Sequence, residues 1–179
     1  MKVPLVPHPL PLTTASLKTT TRLLSLATQQ NLEAWWYPLW TYRLSVYTVN
    51  YGRNPNLSIA PQPSIEKPGS TRYLIPDFAI IETRSQQPFK ELQLVMEVRR
   101  RENALTVIQA RLKTREYLKW AVRNVNNPNQ AGVYGIAATG GYWRFCRLIP
   151  GAGPGGRDAF TRWSIGRTPH EAFSDHIEL

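Results

Sequence analysis

Between residues 73 and 101 the chain reads YLIPDFAIIETRSQQPFKELQLVMEVRRR, two apolar runs interrupted by single acids. Asp77 follows Pro76 and precedes Phe78, Ala79, Ile80 and Ile81, a β-rich setting in which an unpaired carboxylate is costly to bury. Glu97 and Arg99 stand two residues apart, so on a strand they share one face while Met96 and Val98 take the other. One carboxylate from each of two paired strands can hold a divalent cation, and a cation so held can act on a phosphodiester. A buried ion pair or an edge-strand pattern fits the same residues.

The elements that must position these acids follow from pattern. After the proline-rich opening MKVPLVPHPLPL, a helix is expected from Thr13 or Thr14, with Leu17, Leu23, Leu24 and Leu26 as its apolar positions. A second helix is expected from Asn31, where Leu32, Trp35, Trp36, Leu39 and Trp40 recur at helical spacing and Pro38 should kink or end it. Glu33 is the single acid of that aromatic region and a candidate third carboxylate, while the aromatics read as core or as a base-stacking platform. Residues 51–71 are rich in Pro, Asn, Gly and Ser and read as a loop. The two apolar runs then form an antiparallel hairpin, with Arg84 and Lys90 at its tip, where they could meet a phosphate backbone.

Residues 102–127 carry the strongest helical pattern, with Val107, Ala110, Thr114, Leu118, Ala121 and Val125 on one side. Arg111, Arg115, Lys119 and Arg123 recur every four residues as a basic stripe, either a phosphate-binding flank or a solvated face. GVYGIAATGGYWRFCRLI reads as two strands around a Gly140–Gly141 turn. PGAGPGGR, over 150–157, reads as a flexible link and lacks the Lys-Ser or Lys-Thr of a phosphate-binding loop. Beyond it one strand near Trp163 and a short helix after Pro169 are expected.

At 179 residues the chain has the length of one domain. Its 22 Lys and Arg against 12 Asp and Glu give a net charge of +10 and a pI near 10.1, which favours a polyanionic partner, nucleic acid before an anionic membrane surface. The single cysteine, Cys146, permits no internal disulfide and no cysteine-based zinc site, and points to a reducing compartment. His170, Asp175 and His176 read as tail residues before they read as a metal site. No apolar run reaches the length of a membrane span. The first acid is Glu33, so a mitochondrial targeting segment stands beside the nuclear or cytoplasmic placement expected here.

Taken in order, the helix with Glu33, the hairpin with Pro76-Asp77 and Glu97-Val98-Arg99, the long helix and the hairpin Gly135–Phe145 with its Gly140-Gly141-Tyr142-Trp143 turn resemble the PD-(D/E)XK nuclease superfamily over residues 33–148. Arg99 stands where that family has lysine. The resemblance implies an α/β (α+β) restriction-endonuclease-like core, a central mixed sheet of four to five strands flanked by helices, spanning residues 13–149. Residues 1–12 would then be an irregular lead and 150–179 a linker and tail. It further implies that Asp77, Glu97 and the Val98 carbonyl hold Mg²⁺ or Mn²⁺, with Glu33 as a further acid and Gln109 as a polar residue on the second helix. Arg99 would serve as phosphate clamp, since arginine keeps its charge and cannot act as a base. The expected function is metal-dependent hydrolysis of DNA, with RNA second and the homodimer left open. A non-cutting nucleic-acid-binding module and a protein-interaction domain using Trp35 to Trp40 are the alternatives.

Overall fold

Alternation along KELQLVMEVR sends Leu94, Met96 and Val98 to one side of a strand and Val95 and Glu97 to the other, so both sides need cover. The computed structural model describes residues 14–30, 32–50, 56–66, 71–83, 90–99, 103–124, 132–140 and 142–166. It supplies that cover from two helices on one face and one on the other. In chain order the elements are α1 (Thr14–Gln30), α2 (Glu33–Asn50), β1 (Leu57–Pro61), β2 (Ile65–Glu66), β3 (Tyr73–Leu74), β4 (Phe78–Thr83), β5 (Lys90–Arg99), α3 (Ala104–Asn124), β6 (Val133–Thr139), β7 (Tyr142–Gly153), β8 (Arg157–Phe160) and β9 (Ser164–Gly166).

The protein is α+β, with a mixed seven-stranded sheet in the order β1-β4-β5-β6-β7-β8; β9 pairs with the first part of β7. β5 and β6 are parallel and the other neighbours antiparallel. A parallel neighbour requires a crossover, and α3 is that crossover. Leu94, Met96 and Val98 pack with Trp36, Leu39, Trp40 and Leu44 of α2, while Val95 packs with Tyr117, Leu118 and Ala121 of α3.

α3 starts where Asn103 and Thr106 cap one another: the Thr106 N–H donates to Asn103 Oδ1 at 2.9 Å and the Asn103 N–H to Thr106 Oγ1 at 3.0 Å. It then lies so close to β6 that a Cβ on Gly135 would meet Thr114 Cγ2 and Leu118 Cδ1, each at 2.7 Å. The β6–β7 hairpin has the expected two-residue turn, with Thr139 opposite Tyr142 and Gly140 at φ +61°.

Four expectations need correction. Pro38 does not end α2, which runs on to Asn50 with the proline inside its first turns. Residues 57–61, expected in a loop, form β1; as the edge strand of the sheet it tolerates Pro61 at its end. The sheet does not stop at residue 149: β7 runs to Gly153 and pairs with β8, so much of the link expected over 150–157 is strand, while the strand expected near Trp163 is there as β9. Trp36 and Trp40 are interior and so serve neither as a stacking platform nor as a partner surface; Trp35 stays 41% exposed. The helix expected after Pro169 and the His170–His176 group lie outside the described residues, as do the proline-rich lead and Val125.

Candidate active site

β4 and β5 pair antiparallel with Phe78 opposite Met96, which places Asp77, the residue before β4, beside Glu97 and Val98. The Asp77 carboxylate is held from two directions. The Val98 N–H donates to Oδ2 at 2.6 Å, and the Tyr37 hydroxyl of α2 donates to Oδ1 at 2.8 Å. Its main-chain carbonyl accepts from the Gln62 N–H at 2.9 Å, so the chain leaving β1 also fixes it. Because N–H and C=O of one strand residue point to the same edge, the Val98 carbonyl is directed to the Asp77 side as well. Tyr37 is itself set by an edge-to-face contact with Phe78, ring centroids 5.7 Å apart.

Glu97 is 3% exposed and also uses both oxygens. Tyr117 of α3 donates to Oε2 at 2.9 Å, with the Ile75 carbonyl 3.0 Å from the same hydroxyl. Arg99 Nη2 donates to Oε1 at 2.5 Å. The other guanidinium nitrogen, Nη1, lies 3.8 Å from Glu33 Oε2, and Glu33 Oε1 is 3.4 Å from the Tyr37 hydroxyl. Arg99 therefore bridges β5 to α2, with about a third of its side chain open to solvent.

Burial, and next the negative Asp77, push the Glu97 carboxyl up from 4.5 to about 7, against the opposing pull of Arg99, the Tyr117 hydrogen bond and Lys113. Burial likewise raises both Tyr37 and Tyr117 far above the ordinary phenol range, with their carboxylate partners adding to it. Both phenols thus remain donors at any physiological pH.

Asp77, Glu97, Val98, Arg99 and Glu33 thus come together. The basic stripe does not join them. Arg111 lies over Trp163, 5.2 Å from the ring centroid, and Arg115 lies 5.1 Å from Phe160 and 5.9 Å from Trp163. At about 100° per residue, Arg115 sits roughly 160° around α3 from Tyr117, so the stripe faces away from the acids. Lys119 and Gln109 are exposed; Arg84 lies outside the described residues, as do the side chains of Lys90 and Arg123.

Three participants escape the sequence reading: Tyr37, Tyr117 and Lys113. Tyr37 is one turn beyond Glu33, and Gln109, Lys113 and Tyr117 repeat every four residues on α3. That polar repeat beside an apolar face was the available signal.

Among the described residues no group of three or more His, Cys, Asp or Glu is arranged to hold a metal, and the described contacts of Glu33 are with Arg99 and Tyr37. The donor chemistry nevertheless suits a hard cation. Two electrostatically coupled carboxylates and a main-chain carbonyl are oxygen ligands, and Mg²⁺ commonly takes one or two carboxylates, keeping waters and substrate phosphate for its other positions. No protein-family model, curated protein or solved structure matches this chain.

Proposed function

We propose that this protein is a metal-dependent nuclease that hydrolyses phosphodiester bonds of DNA on a restriction-endonuclease-like core of the PD-(D/E)XK type. The observation that supports it most is the meeting of Asp77 and Glu97 from adjacent antiparallel strands, each carboxylate oriented by two donors and the two coupled in charge. Structural ion pairs seldom set two acids together when one would satisfy the local arginine, because like charges in a buried site oppose one another.

In the reaction, a water oxygen forms a bond to phosphorus and the bond from phosphorus to the leaving sugar oxygen breaks. The attacking water releases a proton to solvent and the leaving oxygen takes one up, giving a phosphomonoester and a sugar hydroxyl. Mg²⁺ or Mn²⁺ at Asp77, Glu97 and the Val98 carbonyl would supply charge neutralisation and a more acidic water. Tyr37 and Tyr117 hold the two carboxylates in place as donors. Arg99, anchored by Glu97 and partly open to solvent, keeps N–H groups free for a non-bridging phosphate oxygen.

Purified protein with Mn²⁺ or Mg²⁺ is expected to nick and linearise supercoiled plasmid. Asp77→Ala and Glu97→Ala are each expected to slow this by at least ~10²-fold without unfolding the protein. Absence of cleavage of any DNA under either ion sinks the reading.

One observation favours a second reading, a module that binds nucleic acid without cutting. The Arg99 guanidinium lies directly on the Glu97 oxygen that a cation would use. Mn²⁺ titration separates the two. A cutting protein binds the ion in competition with Arg99, and Arg99→Ala tightens that binding; a non-cutting module closed by Arg99 takes up no Mn²⁺ as wild type and gains it only as Arg99→Ala.

A further inference from the structure

We infer that Lys113 is the second cation of this site, contacting the scissile phosphate from the α3 wall while Arg99 contacts it from the β5 wall; the inference rests on the nuclease reading above. The sequence argues against a lysine here, because three arginines fill 99–101 and the next lysine lies a dozen residues on, in a helix. The fold removes that objection. Lys113 is one turn before Tyr117, and its Nζ lies 5.5 Å from the centroid of the Tyr117 ring, whose hydroxyl donates to Glu97. Its stem is partly buried while the described contacts of its ammonium include no carboxylate within ion-pair distance, in contrast to Arg99.

Charge balance gives the ammonium a task. Three carboxyl groups, Glu33, Asp77 and Glu97, against the one guanidinium of Arg99 give the site a formal charge of −2. A divalent cation brings it to zero, and a phosphodiester makes it negative again just as further charge develops on the phosphoryl oxygens during attack. Lys113 offsets that charge. A preorganised cation at the point where charge develops is the arrangement that lowers such barriers most.

The test compares wild type with Lys113→Met, Lys113→Arg and Asp77→Ala. Cleavage of supercoiled plasmid is followed in Mn²⁺, and binding of a short labelled duplex in Ca²⁺ is followed across salt concentration. Lys113→Met is expected to melt with wild type, to cut ~10²-fold more slowly and to lose about 0.9 from the slope of log affinity against log salt, one phosphate contact. Lys113→Arg restores the slope and part of the rate, which a merely structural lysine would not do. A folded Lys113→Met that cuts at the wild-type rate, or binds with an unchanged slope, overturns the inference and leaves the nuclease reading standing on Asp77→Ala. If wild type binds but cuts nothing, the nuclease reading falls and Lys113 stands or falls on the slope alone. A wild-type protein that neither binds nor cuts overturns both.

Discussion

In the proposed nuclease Glu97 is the residue on which the chemistry turns, and its protonation carries a testable sign. In the folded protein its carboxyl is raised to about 7 by burial and by Asp77, whereas in the unfolded chain it returns to 4.5. The native state therefore binds a proton that the unfolded state releases across that window. Stability of the metal-free protein should fall as pH rises from 4.5 through 7 and level off above it. Thermal melts of Glu97→Gln against pH should lose that slope. Activity runs the other way, since the ionised carboxylate is the form that holds a cation, so the rate should climb through pH 7. Tyr117→Phe removes a donor that favours the ionised form, and the rising limb should move up by ~0.5–1 pH unit. The pair Asp77 and Glu97 was legible from the sequence because two apolar runs with a polar connector make a hairpin, and alternation then assigns faces. Tyr37, Tyr117 and Lys113 were not, because which flank of a helix meets the end of a strand depends on how the helix docks. Periodicity fixes only which residues share a flank.

At the scale of elements, the seat of α3 on the sheet is the contact that brings Tyr117 and Lys113 to the acids. Gly135 makes it close: a methyl there meets Thr114 and Leu118 at 2.7 Å. Gly135→Ala is expected to cost about 1–3 kcal/mol in denaturant unfolding. It should also reduce activity beyond the loss of folded protein, because lifting α3 draws the Tyr117 hydroxyl from Glu97. The flank of α3 turned away from the acids has a different task. Arg111 and Arg115 hold the strands after β7 by lying over Trp163 and Phe160. Arg115→Ala should therefore lower the melting point, by a loss of about 1 kcal/mol, and leave the salt slope of DNA binding unchanged; a flattened slope would return that residue to the nucleic-acid surface. Four cations at one helical period looked like a phosphate track, and nothing in residues 111–123 reveals that aromatic side chains dozens of positions later would occupy two of them. The edge strand β1 was hidden for a related reason. Proline-rich local chemistry signals a loop, and only the sheet's outer position makes Pro61 acceptable.

Over the whole molecule, three layers divide the work. α1 and α2 seal one face and bring Glu33 and Tyr37; α3 seals the other and brings Lys113 and Tyr117; the strands between carry Asp77, Glu97 and Arg99. Apart from the local pairing of Arg99 with Glu97, the side-chain bonds that fix the two acids span 40, 21 and 20 residues. Closing such distant contacts is slow relative to forming helices. The pair itself forms when β4 meets β5, but in a chain emerging from the ribosome Glu97 has no Tyr117 bond until α3 has been made and has docked. During refolding, helical signal should return before the Tyr37 and Tyr117 bonds to the acids form, so the proposed cation site would still be unformed in the most collapsed early states.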